Sequence, residues 1–191
     1  MLYYGSYLWR NKIVKKYEIK ELFQRSIEQK PLLRLFLKYD AYYSYWFPFG
    51  ASDKLFLAAK EDDFIIDGFS IRRFRDVKKL ELKDDKCAEI LRAEKVLAGI
   101  SAPDVNLDDW HSAFLSLEKL DKNIVIEHES LDEKEWEYWI GRIEKVLKTK
   151  VVFRHFDADG IWQEEPYEIP FSRITSVSID NRYVSVFSKY V

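Results

Sequence analysis

The chain has 191 residues, 47% hydrophobic and 34% charged, with 31 basic against 33 acidic side chains and a formal net charge of −2. This composition excludes a disordered chain, supports a soluble globular one of one ordinary or two small domains, and lacks the strongly basic footprint of a dedicated nucleic-acid binder. The only cysteine, Cys87, excludes an intrachain disulfide and a cysteine-built zinc site within one chain.

A reduced setting is the default for such a chain. No apolar run approaches the roughly 20 residues that cross a bilayer, and residues 1–10 lack the basic and apolar regions of a secretory leader. The expected location is cytoplasmic, with no membrane partner.

Residues 1–15 mix aromatics with Arg10, Lys12 and Lys15 without a period. Ile19, Leu22, Phe23 and Ile27 then recur at i, i+3, i+4 and i+8, which predicts an amphipathic helix that Pro31 closes soon after Gln29. Strands are predicted over 32–37, 42–49 and 54–59; Asp67-Gly68 punctuates, Phe69 to Ile71 opens a fourth, and 77–82 is the fifth. Asp84 or Asp85 can cap a helix carrying Cys87, Ile90, Leu91 and Leu97 that ends near Gly99, and 99–104 is the candidate linker.

The programme then restarts. Asn106 is a plausible N-cap, with Asp108 and Asp109 in the first turn of a helix marked by Leu107, Trp110, Phe114 and Leu117, and 123–126 reads as a strand. Across 133–147 the positions Trp136, Trp139, Ile140, Ile143 and Leu147 fit a helical period. Gly141 would cost about 1 kcal/mol inside a helix, and the matching stretch 42–49 is too aromatic and proline-interrupted for one. The segment is read as a long bent strand with Gly141 at the bend. From Lys150 onward β-branched and aromatic residues dominate, and Asp159-Gly160 between two apolar runs signals a hairpin turn within a strand meander.

Spacing supports duplication. Phe69 and Ile71 precede Val77, Leu80 and Leu82 in the first copy, as Tyr167 and Ile169 precede Ile174, Val177 and Ile179 in the second. The expected organisation is mainly β (α+β): two small barrels of five strands, each preceded by a helix, in domains 1–98 (with a trailing helix) and 103–191.

A helix followed by five bent antiparallel strands resembles the Sm-like (SH3-like) fold of RNA-associated ring proteins, and Trp139-Ile140-Gly141-Arg142-Ile143 is similar to the apolar-x-Gly-x-apolar pattern of that family's second strand. The resemblance implies a binding module, with RNA or protein as partner. RNA-binding members carry an aspartate and asparagine in the loop after the second strand and an arginine-glycine pair after the fourth. Here the corresponding loops are Ser52-Asp53-Lys54 and Arg75-Asp76, and Lys148-Thr149-Lys150 and Ser172-Arg173, without those signatures. The C-terminal third also resembles a family of uncharacterised bacterial proteins, through His155-Phe156-Asp157-Ala158-Asp159-Gly160-Ile161-Trp162, Ile174-Thr175-Ser176-Val177, Arg182-Tyr183 and Val186-Phe187-Ser188-Lys189-Tyr190. It brings no function with it.

Catalytic signals are sparse. His155-x-Asp157-x-Asp159 offers metal-ligand chemistry but reads as a strand end running into a turn. His111 and His128 are isolated, the acids interleave with lysines as on a solvated face, and no glycine-rich phosphate loop exists among six glycines. The reading is a non-enzymatic binding module without metal, nucleotide or other cofactor. A protein partner or self-association ranks first, nucleic acid (RNA) second and a hydrolase third. Candidate contacts are Lys148, Lys150, Arg173, Arg75, Trp46 and Trp162. The aromatic run of Tyr42, Tyr43, Tyr45, Trp46, Phe47 and Phe49 must place rings on both faces of its strand, and packing between the repeats is favoured over an exposed stacking or interface role.

Three signatures separate these readings. A basic patch of Lys148, Lys150 and Arg173 beside an exposed ring points to nucleic acid. A large exposed apolar patch points to a protein, and a pocket holding a displaced acid or His155 to an enzyme.

Overall fold

The computed structural model describes residues 16–191, so the aromatic lead-in of 1–15 lies outside the described residues. Helix α1 (Lys16–Ser26) is followed by β1 (Leu32–Leu37), β2 (Ser44–Ala51), β3 (Leu55–Asp62), β4 (Ile65–Arg73) and β5 (Val77–Lys83), then α2 (Lys86–Ala93). The order recurs as α3 (Trp110–Glu118), β6 (Ile124–His128), β7 (Glu137–Val146), β8 (Lys150–Phe156), β9 (Tyr167–Pro170) and β10 (Ser176–Ile179), and α4 (Arg182–Phe187) follows. The chain is mainly β, with a helix ahead of each set of five strands.

Among the described residues ten strands form one antiparallel sheet of order β5-β1-β2-β3-β4-β10-β6-β7-β8-β9, open at β5 and β9. Each half therefore runs fifth, first, second, third, fourth. The halves join where β4 pairs with β10, with Ile71 opposite Val177 and Ser70 opposite Ser178.

Successive strand residues point to opposite faces. On one side, the inner face, Phe47, Leu57, Phe69 and Ile71 of the first half form one core with Ile126, Phe153, Val177 and Ile179 of the second. Ala88 and Leu91 of α2, and Trp110, Phe114 and Leu117 of α3, cover it. On the other side, the outer face, Ile19, Leu22 and Phe23 of α1 pack on Leu33, Leu35, Trp46, Phe56 and Leu80. Val184 of α4 packs on Val125, Ile140 and Phe156. Each buried side chain of this kind contributes about 1.5–3 kcal/mol. The aromatic run divides as its alternation requires: Trp46 lies under α1, Phe47 lies in the core shared by the halves, and Tyr42 stays exposed.

Several local expectations need correction. Asp67-Gly68 lies inside β4, and the β3–β4 turn is made by Asp63 and Phe64, both at positive φ (47° and 68°). A turn of that hand matches the twist of the flanking strands. Gly68 is required for another reason: a Cβ there would lie 2.4 Å from the Ile179 carbonyl oxygen and from the Asn181 amide. Helix α2 is capped by Asp85, whose side chain accepts from the Ala88 amide, and ends at Ala93, so Leu97 lies beyond it. Helix α3 is capped by Asp109 rather than Asn106, whose Oδ1 instead accepts from the Asp108 amide at 2.9 Å. Segment 133–147 is a 3-10 turn and then the expected strand, β7, but its register against β8 shifts between Ile143 and Lys145 rather than at Gly141. At Gly141 a Cβ would lie 2.0 Å from the Arg154 carbonyl oxygen, so only glycine permits that approach. Helix α4 has no counterpart among the sequence expectations.

Candidate functional site

Four turns and one helix start converge on a cavity of about 500 Å³. The β2–β3 turn is closed by Ser52 Oγ, which accepts from the Lys54 and Leu55 amides at 3.1 Å and presents Asp53 and Lys54. The Phe74 amide donates to the Lys54 carbonyl at 3.0 Å, tying the β4–β5 turn beside it. In the second half the Phe171 amide donates to the Thr149 carbonyl at 3.0 Å, tying the β9–β10 turn to the β7–β8 turn. Arg73, buried and paired with Asp76, donates from Nη1 to the Ile174 carbonyl at 2.9 Å and links the two pairs of turns.

The charges in this cleft are unevenly engaged. Asp53 pairs with Lys20 at 2.8 Å, and that hydrogen bond holds its carboxyl below the usual range. Asp109 accepts from the Ser112 amide at 2.8 Å, which lowers its carboxyl likewise. Among the described residues Lys54, Arg75 and Lys148 make no ion pair, and all three are exposed. Phe171 forms part of the wall, stacked on Phe114 at 5.5 Å with His111 edge-on at 6.2 Å. The buried Trp110 Nε1 has no hydrogen-bond partner.

Of the six candidate residues, Arg75 and Lys148 meet in this cleft. Lys150 is paired with Glu168 and Arg173 with Glu137, so the patch of Lys148, Lys150 and Arg173 does not assemble as unpaired charge. Trp46 is only 3% exposed, with Nε1 donating to Ser44 Oγ at 2.7 Å. Trp162 packs against Phe156 at 5.0 Å, under Arg142. Sequence reasoning placed Lys54 and Ser172 in matching loops but had no signal for His111 and Phe171. Asp157 behaves as a turn residue, accepting from the Asp159 and Ile161 amides at 3.0 Å, and burial pushes the neighbouring His155 imidazole down. Among the described residues no group of three or more His, Cys, Asp or Glu could hold a metal ion.

A second cavity, of about 290 Å³, opens on the outer face. Arg72 Nη1 donates there to both oxygens of Glu129, at 2.9 and 3.2 Å, and Glu129 is 3% exposed. Glu127 accepts from Ser176 Oγ at 2.6 Å. Burial pushes the Glu127 and Asp40 carboxyls up, so this is a pocket holding displaced acids, the signature attached above to an enzyme.

No family model, no curated protein and no solved structure matches the chain.

Proposed function

We propose that each half is a Sm-like five-stranded unit and that the chain is a non-enzymatic binding module holding single-stranded nucleic acid, RNA foremost, in the loop cleft. The observation that carries this reading is the imbalance there: among the described residues Lys54, Arg75 and Lys148 make no ion pair, while Asp53 and Asp109 are already engaged. Phosphates would take the three cations, and a base would lie against Phe171, since base–aromatic stacking tolerates any sequence. This places nucleic acid ahead of the protein partner that composition favours.

The test is fluorescence anisotropy with a labelled uridine-rich oligonucleotide at two salt concentrations. Three phosphate contacts on a single strand give a log–log slope of about −2, a loss of roughly twentyfold between 50 and 200 mM salt. The triple variant Lys54→Ala/Arg75→Ala/Lys148→Ala should lose most of the remaining affinity. No binding at low salt, or equal binding by the triple variant, removes the reading.

A second copy of the chain is the second reading, favoured by the open edges. Inside the chain a fourth strand pairs with a fifth, and β9 and β5 leave one of each unpaired. Lys78, Lys79 and Lys83 on β5 and Pro170 on β9 oppose such pairing. A monomer mass by light scattering at high protein concentration would exclude it.

A further inference from the structure

The outer-face cavity is a built site independent of the loop cleft. Ser70 alternates with Phe69 and Ile71, which enter the shared core, so its hydroxyl points to the outer face, into the cavity that it lines. Ser70 is 2% exposed, yet its Oγ has no hydrogen-bond partner among the described residues. A buried hydroxyl left unpaired costs about 1–3 kcal/mol, which a ligand group would recover.

The surrounding charge identifies that group. With Glu129 held by both oxygens on Arg72, the remaining lining charges are the Asp40, Asp67 and Glu127 carboxylates against the single ammonium of Lys60. Lys60 makes no ion pair among the described residues. The excess is negative. Trp136, 41% exposed, adds an indole wall, and indole faces attract cations. A bare metal ion is a poor fit, because no three acidic or imidazole groups of the described residues are clustered to ligate one. The volume instead accommodates a short carbon chain.

We propose that this cavity binds a small aliphatic amine, its primary ammonium donating to the Glu127 and Asp40 carboxylates and to Ser70 Oγ, and its carbon stem lying along Trp136. An ammonium brings three donors and no acceptor, which suits a cavity lined by the Glu127 and Asp40 carboxyls and the Ser70 hydroxyl. The raised carboxyls of Glu127 and Asp40 agree with this, since each is an acid that burial leaves short of compensating charge.

The experiment is isothermal titration calorimetry of the full chain with 1,4-diaminobutane, and with 1,4-butanediol as its uncharged counterpart. One saturable site for the diamine and none for the diol is the expected result. Glu127→Gln and Asp40→Asn keep the shape and should each weaken binding at least tenfold, Ser70→Ala severalfold, while the triple variant of the loop cleft binds the diamine like wild type. Should either carboxamide variant fail to fold, the other and Ser70→Ala still decide the matter. Absence of a saturable heat, equal binding of the diol, or undiminished binding in the folded pocket variants overturns the proposal. Loss of diamine binding in the loop-cleft variant would also overturn it, by moving the site to the other cavity.

Discussion

At the join between the halves, alternate residues of the same strands behave in opposite ways. Towards the inner face Phe69, Ile71, Ile126, Val177 and Ile179 are buried in one apolar core. Towards the outer face Ser70, Arg72, Ser176, Ser178 and Glu127 carry hydroxyls and charge. The inner side suffices to hold β4 against β10, because five apolar side chains at about 1.5–3 kcal/mol each are buried there. A buried ion pair gives little or nothing over an apolar pair of the same size. Polar residues kept where apolar ones would serve stability at least as well indicate a use other than stability.

The sharpest way to test this contrast is to break the outer pair from one side. Arg72→Met leaves Glu129 buried and unpaired and should cost about 3–5 kcal/mol, whereas Arg72→Met/Glu129→Leu should return close to wild type. Urea unfolding of the three chains measures it, and a double variant as unstable as the single one would make the pair structural. One residue away, Ile71→Ala opens a cavity in the inner core and should cost about 2–4 kcal/mol, with no second substitution nearby to restore it. If Ile71→Ala proves almost silent, the inner face is not what binds the halves.

Gly68 touches neither face but sets how closely β4 approaches the end of β10. Gly68→Ala would drive a Cβ into the Ile179 carbonyl from a positive φ and should cost about 1–3 kcal/mol. Amide exchange should accelerate first along β4 and β10, and uniform acceleration would mean that the strain spreads instead. The smallest effect concerns protonation. Burial raises the Glu127 carboxyl in the folded chain, so its contribution to stability is full below the unfolded pKa and is lost as pH rises through the folded one. Glu127→Gln removes that loss, and its stability relative to wild type should improve as pH rises above the ordinary glutamate range, about pH 4. A difference that does not change with pH would mean that the carboxylate is compensated.

The first-half strands were legible because β1 and β3 open as short apolar runs and Leu80 and Leu82 flank Glu81 in β5, and helix α1 because Ile19, Leu22 and Phe23 sit on one stripe. Strand β7 needed more than periodicity: Gly141 and the matching aromatic stretch outweighed a helical spacing that pairing overrides. Asp67-Gly68 misled because its glycine serves a close approach rather than a turn, while the true turn contains Phe64, a residue with no turn preference. Helix α4 is six residues long, too short to establish a period. Part of the loop cleft was visible, since Arg75 and Lys148 fall in two of the loops that the expected strand order had marked. The outer cavity was invisible. Arg72 and Glu129 are 57 residues apart, and Glu127 and Glu129 stand in an acidic, lysine-containing run that reads as solvated although Glu129 is buried.

Among the described residues β10 is the strand that comes latest in the chain, yet it lies at the middle of the sheet, between β4 and β6. While the chain is still emerging from the ribosome, β4 and β6 are therefore two bare edges, and Phe69 and Ile71 have no Val177 or Ile179 to cover them. One strand covers the exposed edges of both halves, so the insertion of β10 joins them in a single step. For that interval the chain carries two unpaired strand edges, a surface that invites pairing with another chain.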